Sequence, residues 1–229
     1  VRAADADVGV AHDGDADRAI FFDEDGAYIE GDASIAALAA AELEAGDTAV
    51  AAVNVSQRLV DVCEARGADL ELTEIGSTNL ITQMQQLQLK GETVPVAGEG
   101  NGGVFFPEYR LVRDGAFTAA KFLELLTEQT ASEVVAPHAD YHNVRRALTY
   151  ENDAQLDAML SAAEGWARAA DATPTTIDGY RLDYGDAWVL VRPSGTEPKV
   201  RIYAEAHDHE RATELADAVE AELELARIV

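Results

Sequence analysis

The sequence predicts an α/β layer domain with mainly parallel strands, followed by a smaller α+β domain with an antiparallel sheet. Three observations indicate this fold class. Helical and strand patterns alternate through residues 32–136, and the alternation stops near residue 137. Residues 48–55 are an almost unbroken apolar run, which is typical of a strand covered on both faces. With 229 residues, 48% of them hydrophobic, the chain can form one large domain or two of ordinary size.

The first 31 residues predict a strand, an acidic loop and a second strand. The strands are residues 8–11 and 19–22, and residues 23–26 (DEDG) form a turn after them. The chain opens directly on this strand pattern, with valine rather than methionine. We therefore expect the sequence to be a piece of a longer protein.

Four helices and four strands are predicted between residues 32 and 136. Asp32 is the expected N-cap of the first helix, and Gly67 is the expected end of the second. The predicted helices cover residues 32–44, 57–66, 79–88 and 116–128. The predicted strands cover residues 48–55, 69–75, 94–97 and 104–106.

The remaining residues predict helices that cover an antiparallel sheet. Strands are expected at residues 143–148, 180–184, 187–191 and 200–204. Two helices are indicated by apolar stripes, formed by Leu156, Leu160, Ala163 and Ala167 and by Ala212, Leu215, Val219 and Leu223. Residues 131–142 are the expected linker between the two domains.

The charge of the chain excludes several classes of partner. Its 43 acidic and 17 basic residues give a net charge of −26. Such a surface repels phosphate backbones and anionic membranes, so neither nucleic acid nor a membrane is an expected partner. The basic residues include few lysines, which favours a salt-adapted cytoplasmic protein over a hyperthermophilic one. Cys63 is the single cysteine, which suits a reducing compartment and a place in the core.

Three aspartates alternate along the acidic loop, residues 13–18 (DGDADR). Asp13, Asp15 and Asp17 can converge three hard carboxylate oxygens, which suits Mg²⁺ or Ca²⁺. An EF-hand is excluded, because Arg18 stands where that motif requires glycine and the flanking segments are strands. A plain acidic turn is the alternative. Arg18 favours the metal site, because a fixed cation beside carboxylates is useful where a phosphoryl group meets a metal ion.

The glycine loop, residues 98–103 (GEGNGG), follows a predicted strand. Its four glycines would let the backbone approach a ligand. Glu99 and Asn101 supply acceptors and donors that suit hydroxyl groups. On its own the pattern is also typical of a simple turn.

The anion loop, residues 192–198 (RPSGTEP), lies between two predicted strands. Its hydroxyls, its backbone N–H groups and its arginine would form an anion nest, to which Arg201 can add. A basic loop in so acidic a protein indicates a function. Ser194 as a nucleophile is the alternative, but the elbow G-x-S-x-G is absent, since Arg192 stands where its first glycine belongs. Phosphate binding is therefore the favoured interpretation.

In this order and at these spacings, the three loops resemble the motifs of the α-D-phosphohexomutase family, which includes phosphoglucomutase, phosphomannomutase and phosphoglucosamine mutase. Residues 13–18 match its metal loop D-G-D-x-D-R, residues 99–103 its sugar-binding loop, and residues 192–198 its phosphate-binding loop R-x-S-G-T-E-P. The resemblance implies that residues 1–31 are the end of domain 2, residues 32–136 domain 3 and residues 137–229 domain 4.

The resemblance also implies an activity, a reversible shift of phosphate between the 1- and 6-positions of a hexose. The route would pass through a phosphoserine and hexose 1,6-bisphosphate, which also serves as activator. By the match, Asp13, Asp15 and Asp17 would hold Mg²⁺, and Arg18 would be the catalytic cation of this chain. Glu99 and Asn101 would bind sugar hydroxyls. The phosphate would be held by Arg192, Ser194, Gly195, Thr196 and Arg201.

Two departures from the family pattern affect this interpretation. No serine loop of the form T-x-S-H-N-P occurs in the 229 residues, so we expect the isolated chain to be inactive as a mutase. Glu74 stands where the family often has lysine, and its carboxylate would oppose a phosphorylated substrate. A non-catalytic sugar-phosphate-binding relative is the alternative function, and an acidic metal-binding scaffold is a third. Glucose, mannose and glucosamine phosphates are all candidate ligands, and no oligomeric state is predicted.

Overall fold

The computed structural model describes residues 1–228, with every side chain except that of Thr173. The chain divides into two compact units, Val1–Ala139 and the residues from Asp140 onward. Each unit buries its own set of apolar side chains. None of the described helices is both long enough and apolar enough to cross a bilayer.

The first unit begins with a three-stranded antiparallel sheet. After a short 3-10 turn at Arg2–Ala4, its strands are β1 (Gly9–His12), β2 (Ala19–Phe22) and β3 (Tyr28–Ile29), in that order across the sheet. The acidic loop connects β1 to β2. Ala16 adopts a left-handed backbone with φ of 57°, and its N–H donates to the Asp13 carbonyl over 3.1 Å. The loop is therefore a tight reversal at the end of a hairpin.

Helices and strands alternate through the rest of the first unit. In chain order they are α1 (Gly31–Glu42), β4 (Thr48–Ala52), α2 (Gln57–Arg66), β5 (Asp69–Thr73), α3 (Ser77–Leu89), β6 (Ala97–Glu99), β7 (Gly103–Phe105), α4 (Gly115–Leu125) and α5 (Ala131–Val135). The sheet order is β5-β4-β6-β7; β4 is parallel to both neighbours, and β7 is antiparallel to β6. All five residues of β4 are buried, as the apolar run predicts. The predicted α/β layer is confirmed.

Three local predictions in this unit are wrong. Glu30 is the N-cap of α1, and Asp32 lies buried in its first turn. The strand expected from residue 94 begins only at Ala97, because Pro95 has no N–H to donate to a ladder. The expected linker starts with a helix, because Thr130 and Glu133 form a capping box at the N-terminus of α5. A second 3-10 turn, Ala136–His138, follows it.

The second unit is a five-stranded antiparallel sheet with two helices. Its elements are β8 (His142–Thr149), α6 (Asp153–Ala169), β9 (Thr173–Thr175), β10 (Tyr180–Asp183), β11 (Ala187–Pro193), β12 (Lys199–Ala206) and α7 (His209–Arg227). The order is β8-β12-β11-β10-β9. The apolar stripe of α7 is confirmed as buried, whereas α6 buries Met159 with Ala163 and Ala167. The antiparallel α+β unit follows the prediction, apart from β9, which is too short to show a pattern.

Two buried residues, Cys63 and Trp188, differ in their surroundings. Cys63 is buried among apolar side chains, and this burial raises the pKa of its thiol to about 11. Trp188 is 2% exposed, but its ring nitrogen donates to Glu205 over 2.9 Å. The buried Arg181 guanidinium lies 4.1 Å from the Trp188 ring centroid, and desolvation lowers its pKa to about 10. Arg181, Trp188 and Glu205 therefore form a polar row on one face of the sheet. The apolar residues that precede and follow Trp188 in the sequence lie on the opposite face.

A hydrogen-bonded carboxylate connects the turn after β2 to α5 and makes stability depend on pH. Glu24 accepts from the Ser132 hydroxyl and from the Ser132 N–H at 3.2 Å, and these bonds lower its pKa to about 2. Because the pKa is depressed on folding, this stabilisation is present above about pH 4.5 and is lost as the pH falls toward 2. We expect Glu24→Gln to flatten the pH dependence of the free energy of unfolding in that window, as measured by urea titrations.

The exposed Glu108 supplies the control for this carboxylate. Glu108→Gln should leave the pH dependence as it is in the wild type. If both variants respond to acid as the wild type does, the Glu24–Ser132 bonds do not contribute to stability.

Candidate functional site

The acidic loop brings its three aspartates together. One carboxylate oxygen from each of Asp13, Asp15 and Asp17 lies within 4.8 Å of the others. Three converging hard oxygens suit a small divalent cation. In addition, Asp17 Oδ1 is buried and has no hydrogen-bond partner among the described residues. The donor set and this orphaned oxygen fit Mg²⁺.

Arg18 lies beside these carboxylates, as the sequence predicts for the loop. Its Nε donates to Asp13 and lies 3.7 Å from Asp17 Oδ1. Desolvation alone would raise the pKa of Asp13, but hydrogen bonds from the side chain and backbone of Arg18 lower it. The guanidinium thus favours the charged form of this carboxylate.

Glu99 is the buried centre of the glycine loop. It is 7% exposed, and its Oε1 accepts from the Gly76 N–H at 3.2 Å. Its Oε2 accepts from the Asn101 amide nitrogen at 3.0 Å. Asn101 is exposed, and its Oδ1 accepts from the Gly103 N–H at 3.0 Å. The two predicted sugar-binding side chains therefore form one hydrogen-bonded pair with an exposed amide.

The glycines of this loop are required by contacts within the protein. Gly102 has a φ of 86°, and a Cβ there would lie 2.5 Å from the Ala19 carbonyl oxygen. The Ala19 N–H donates to the Gly102 carbonyl over 3.0 Å. A Cβ on Gly100 would lie 1.8 Å from Asp32 Oδ1. The loop packs against the start of β2 and of α1, which places it directly beside the acidic loop.

Arg113 connects the two loops, and sequence reasoning did not select it. Its Nη2 pairs with Asp17, and its Nη1 lies 3.4 Å from Glu99 Oε2. The side chain is only 19% exposed. Its signal in the sequence is weak: an arginine immediately before Asp114, the N-cap of α4, in a chain with few basic residues.

Glu74 lies close to the same group of residues. It is exposed in the loop after β5, two residues before Gly76, whose N–H binds Glu99. This loop and the glycine loop follow the carboxyl ends of the parallel strands β5 and β6. Ligands of open α/β sheets bind at this edge.

The anion loop lies in the second unit, between β11 and β12. Arg192 and Arg201 are directly opposite each other in the antiparallel register, so their side chains lie on one face. Gly195 and Thr196 are exposed, and Ser194 is partly buried. The Ser194 N–H is already used, since it donates to the Lys199 carbonyl over 2.8 Å.

Two carboxylates that were not predicted as site residues hold these arginines. Asp178 Oδ2 lies 3.0 Å from Arg192 Nη2, and both side chains are mostly buried. Arg192 Nε is buried and has no hydrogen-bond partner in the described part of the chain. Glu197 pairs with Arg201 and, at 2.8 Å, with Lys199; these two cations lower its pKa, with Lys199 the larger cause.

Comparison with known families gives two matches, which begin at residue 30. Residues 30–141 match the family model for phosphoglucomutase/phosphomannomutase, alpha/beta/alpha domain III. Residues 144–222 match that for the phosphoglucomutase/phosphomannomutase C-terminal domain. Together the two matches cover most of the chain.

Two proteins with sequences similar to this chain are named as mutases of phosphorylated hexoses. The phosphoglucomutase/phosphomannomutase of Thermococcus kodakarensis is 38% identical over 218 residues, which are 93% of this chain and 46% of that protein. A probable phosphoglucosamine mutase of Methanopyrus kandleri is 36% identical over 221 residues, 95% of this chain and 48% of that protein. The chain thus spans about half the length of the curated relatives it matches.

Solved structures show the same fold. A phosphoglucomutase/phosphomannomutase family protein from Burkholderia thailandensis aligns with a TM-score of 0.81 at 28% identity, over 98% of this chain and 48% of that one. The N-acetylphosphoglucosamine mutase of Aspergillus fumigatus, solved in complex with GlcNAc-6P and magnesium, aligns with a TM-score of 0.64 at 17% identity, over 95% of this chain and 48% of that one. Sequence, domain matches and fold agree, and the chain belongs to the phosphoglucomutase/phosphomannomutase family.

Proposed function

We propose that this chain supplies the metal-binding, sugar-binding and phosphate-binding loops of a phosphohexomutase, which interconverts hexose 1-phosphates and hexose 6-phosphates. The observation that carries the proposal is the junction of the acidic and glycine loops. The Ala19–Gly102 hydrogen bond and the Arg113 ion pairs hold a carboxylate cluster beside a hydroxyl-binding pair. A phosphorylated sugar needs both kinds of group within reach at the same time.

At the acidic loop, Asp13, Asp15 and Asp17 would hold Mg²⁺, which when bound supplies positive charge to a phosphoryl group. Arg18 is 40% exposed on its side chain and would donate to the oxygens of the same phosphoryl group. The N-acetylphosphoglucosamine mutase of Aspergillus fumigatus, which shares the fold, was solved with magnesium.

At the glycine loop, Asn101 and Glu99 would bind two neighbouring sugar hydroxyls. An amide that donates and a carboxylate that accepts can serve a hexose in either orientation, which a 1-to-6 shift requires. In the second unit, the unused Nε of Arg192, Arg201, the hydroxyls of Ser194 and Thr196 and the backbone at Gly195 would bind the phosphate that is not transferred.

The chain contains no recognisable phosphoserine loop, so the transferred phosphoryl group would come from a serine outside the 229 residues. Hexose 1,6-bisphosphate would be the intermediate and activator. The isolated chain should therefore bind ligands without turning them over. The alternative is a sugar-phosphate-binding relative without catalysis, which the exposed carboxylate of Glu74, two residues before Gly76, favours.

Metal binding tests the proposal directly. Asp15 is exposed, so Asp15→Asn keeps the shape of the loop and removes one of three charged ligands. We expect the Kd for Mg²⁺, measured by calorimetry on the 229-residue chain, to rise by roughly tenfold or more. Asp157→Asn changes an exposed aspartate in α6 and should leave the Kd unchanged.

Ligand binding and turnover complete the test. Glucose 1-phosphate, mannose 1-phosphate and glucosamine 1-phosphate are titrated in parallel with Mg²⁺ present, and at least one should bind. A wild-type chain that binds neither Mg²⁺ nor any of these sugars would overturn the proposal. Turnover by the chain alone would overturn the assignment of the serine to residues outside it.

A further inference from the structure

We propose that Arg113 is a positioning residue that couples the acidic loop to the glycine loop, so that cation binding at the aspartates is transmitted to Glu99. The inference rests on the proposed metal site. One guanidinium is shared between Asp17 and Glu99 through its two terminal nitrogens. A change in the charge or position of Asp17 therefore acts on the Arg113 guanidinium, which also holds the Glu99 carboxylate.

The path of the Arg113 side chain is built into the surrounding backbone. A Cβ on Gly103 would lie 2.6 Å from Arg113 Cδ, so the side chain crosses the glycine loop where a side chain is missing. On its other side, Asp114 caps α4 by accepting from the Phe117 N–H at 3.0 Å. The next residue, Gly115, donates its N–H to the Ala16 carbonyl over 3.1 Å. The start of α4 is thereby fixed to the acidic loop, and Arg113 is fixed with it.

The charges give the coupling its direction. Without a cation, Asp17 and Glu99 both attract the guanidinium. When the charge of Asp17 is taken up by a divalent cation, its attraction for Arg113 weakens and the pair between Arg113 and Glu99 strengthens. Glu99 is 7% exposed, so water screens this change poorly. Arginine suits the task, because its planar fork presents one terminal nitrogen to each carboxylate, whereas lysine has a single nitrogen.

Gly76 offers a reporter that lies outside both loops. Its N–H donates to Glu99 Oε1 at 3.2 Å, whereas Arg113 approaches Oε2. A change in the field or position of the Glu99 carboxylate therefore appears at the Gly76 amide. In an ¹H–¹⁵N spectrum, glycine amides are resolved from most others.

The experiment is a Mg²⁺ titration of the ¹⁵N-labelled 229-residue chain. In the wild type, we expect the Gly76 amide to shift with the same midpoint as the amides of residues 13–18. In Arg113→Met, the amides of the acidic loop should still shift, while the Gly76 shift falls to about a third or less. Arg113→Lys should also lose most of the Gly76 shift, because it keeps the charge but not the fork.

Arg110→Met is the matched control. Arg110 lies three residues away and pairs with Asp114 without contacting either loop carboxylate, so the Gly76 shift should persist. A wild-type Gly76 amide that does not move while the acidic loop does would overturn the coupling and leave the metal site standing. Full retention of the shift in Arg113→Lys would overturn the bridging geometry. A wild type with no shift at residues 13–18 would overturn the metal site and the coupling together.

Discussion

Replacing Phe122 with alanine is expected to lower the free energy of unfolding of the first unit by about 3–5 kcal/mol, the usual cost of removing a large buried aromatic ring. Phe122 in α4 is fully buried and stacks on Phe21 of β2, with ring centroids 4.1 Å apart. Its loss leaves a cavity behind the strand that follows the acidic loop. Urea unfolding monitored by circular dichroism measures the change.

The neighbouring residue provides the control for the ring. Leu123 is 45% exposed, and Leu123→Ala changes the same helix on its solvent side. We expect this variant to lose no more than about 1 kcal/mol. Equal losses for the two variants would mean that the stacked pair does not hold α4 on the sheet of β2.

Gly102→Ala is expected to cost about 2–5 kcal/mol, because two separate penalties add. An alanine at a φ of 86° costs about 1–2 kcal/mol from the backbone alone. Its Cβ would also lie 2.5 Å from the Ala19 carbonyl oxygen, so the glycine loop must move away from β2. That movement strains packing and weakens the Ala19–Gly102 hydrogen bond, for a further 1–3 kcal/mol or so. Urea unfolding gives the total.

Gly91 separates the two penalties. Its φ of 87° is nearly the same, but a Cβ there would meet nothing within 4 Å. Gly91→Ala should therefore show the backbone cost alone, and the difference between the two variants measures the close approach of the loops. If the variants cost the same, the contact between Gly102 and Ala19 is not tight in solution.

The sequence was sufficient to predict a helix or strand where the residues of that element determine it by themselves. The apolar stripe of α7 and the left-handed Gly67 that ends α2 are of this kind. Prediction failed where one residue changed a longer pattern. Pro95 moved the start of β6 from residue 94 to Ala97, and the capping box of Thr130 and Glu133 began a helix in a segment expected to be a linker.

Some parts of the candidate site could likewise be predicted from the sequence, and others could not. The three loops were identifiable because each concentrates unusual residues within six or seven positions. Arg113 and Asp178 are single residues whose partners lie between 14 and 96 positions away along the chain. Nothing in the local pattern of the sequence marks such a contact. The roles of the loop residues toward ligands remain predictions, and the titrations described above test them.

The ion pairs of the anion loop affect how it would recognise phosphate. Arg192, Lys199 and Arg201 are paired with Asp178 and Glu197, so only one of the three positive charges is left unbalanced. Attraction at a distance is then weak, and recognition depends on directional hydrogen bonds at contact range. At molar ionic strength the Debye length is about 3 Å, and long-range steering is lost in any case. A loop that binds only at contact would lose least under such screening.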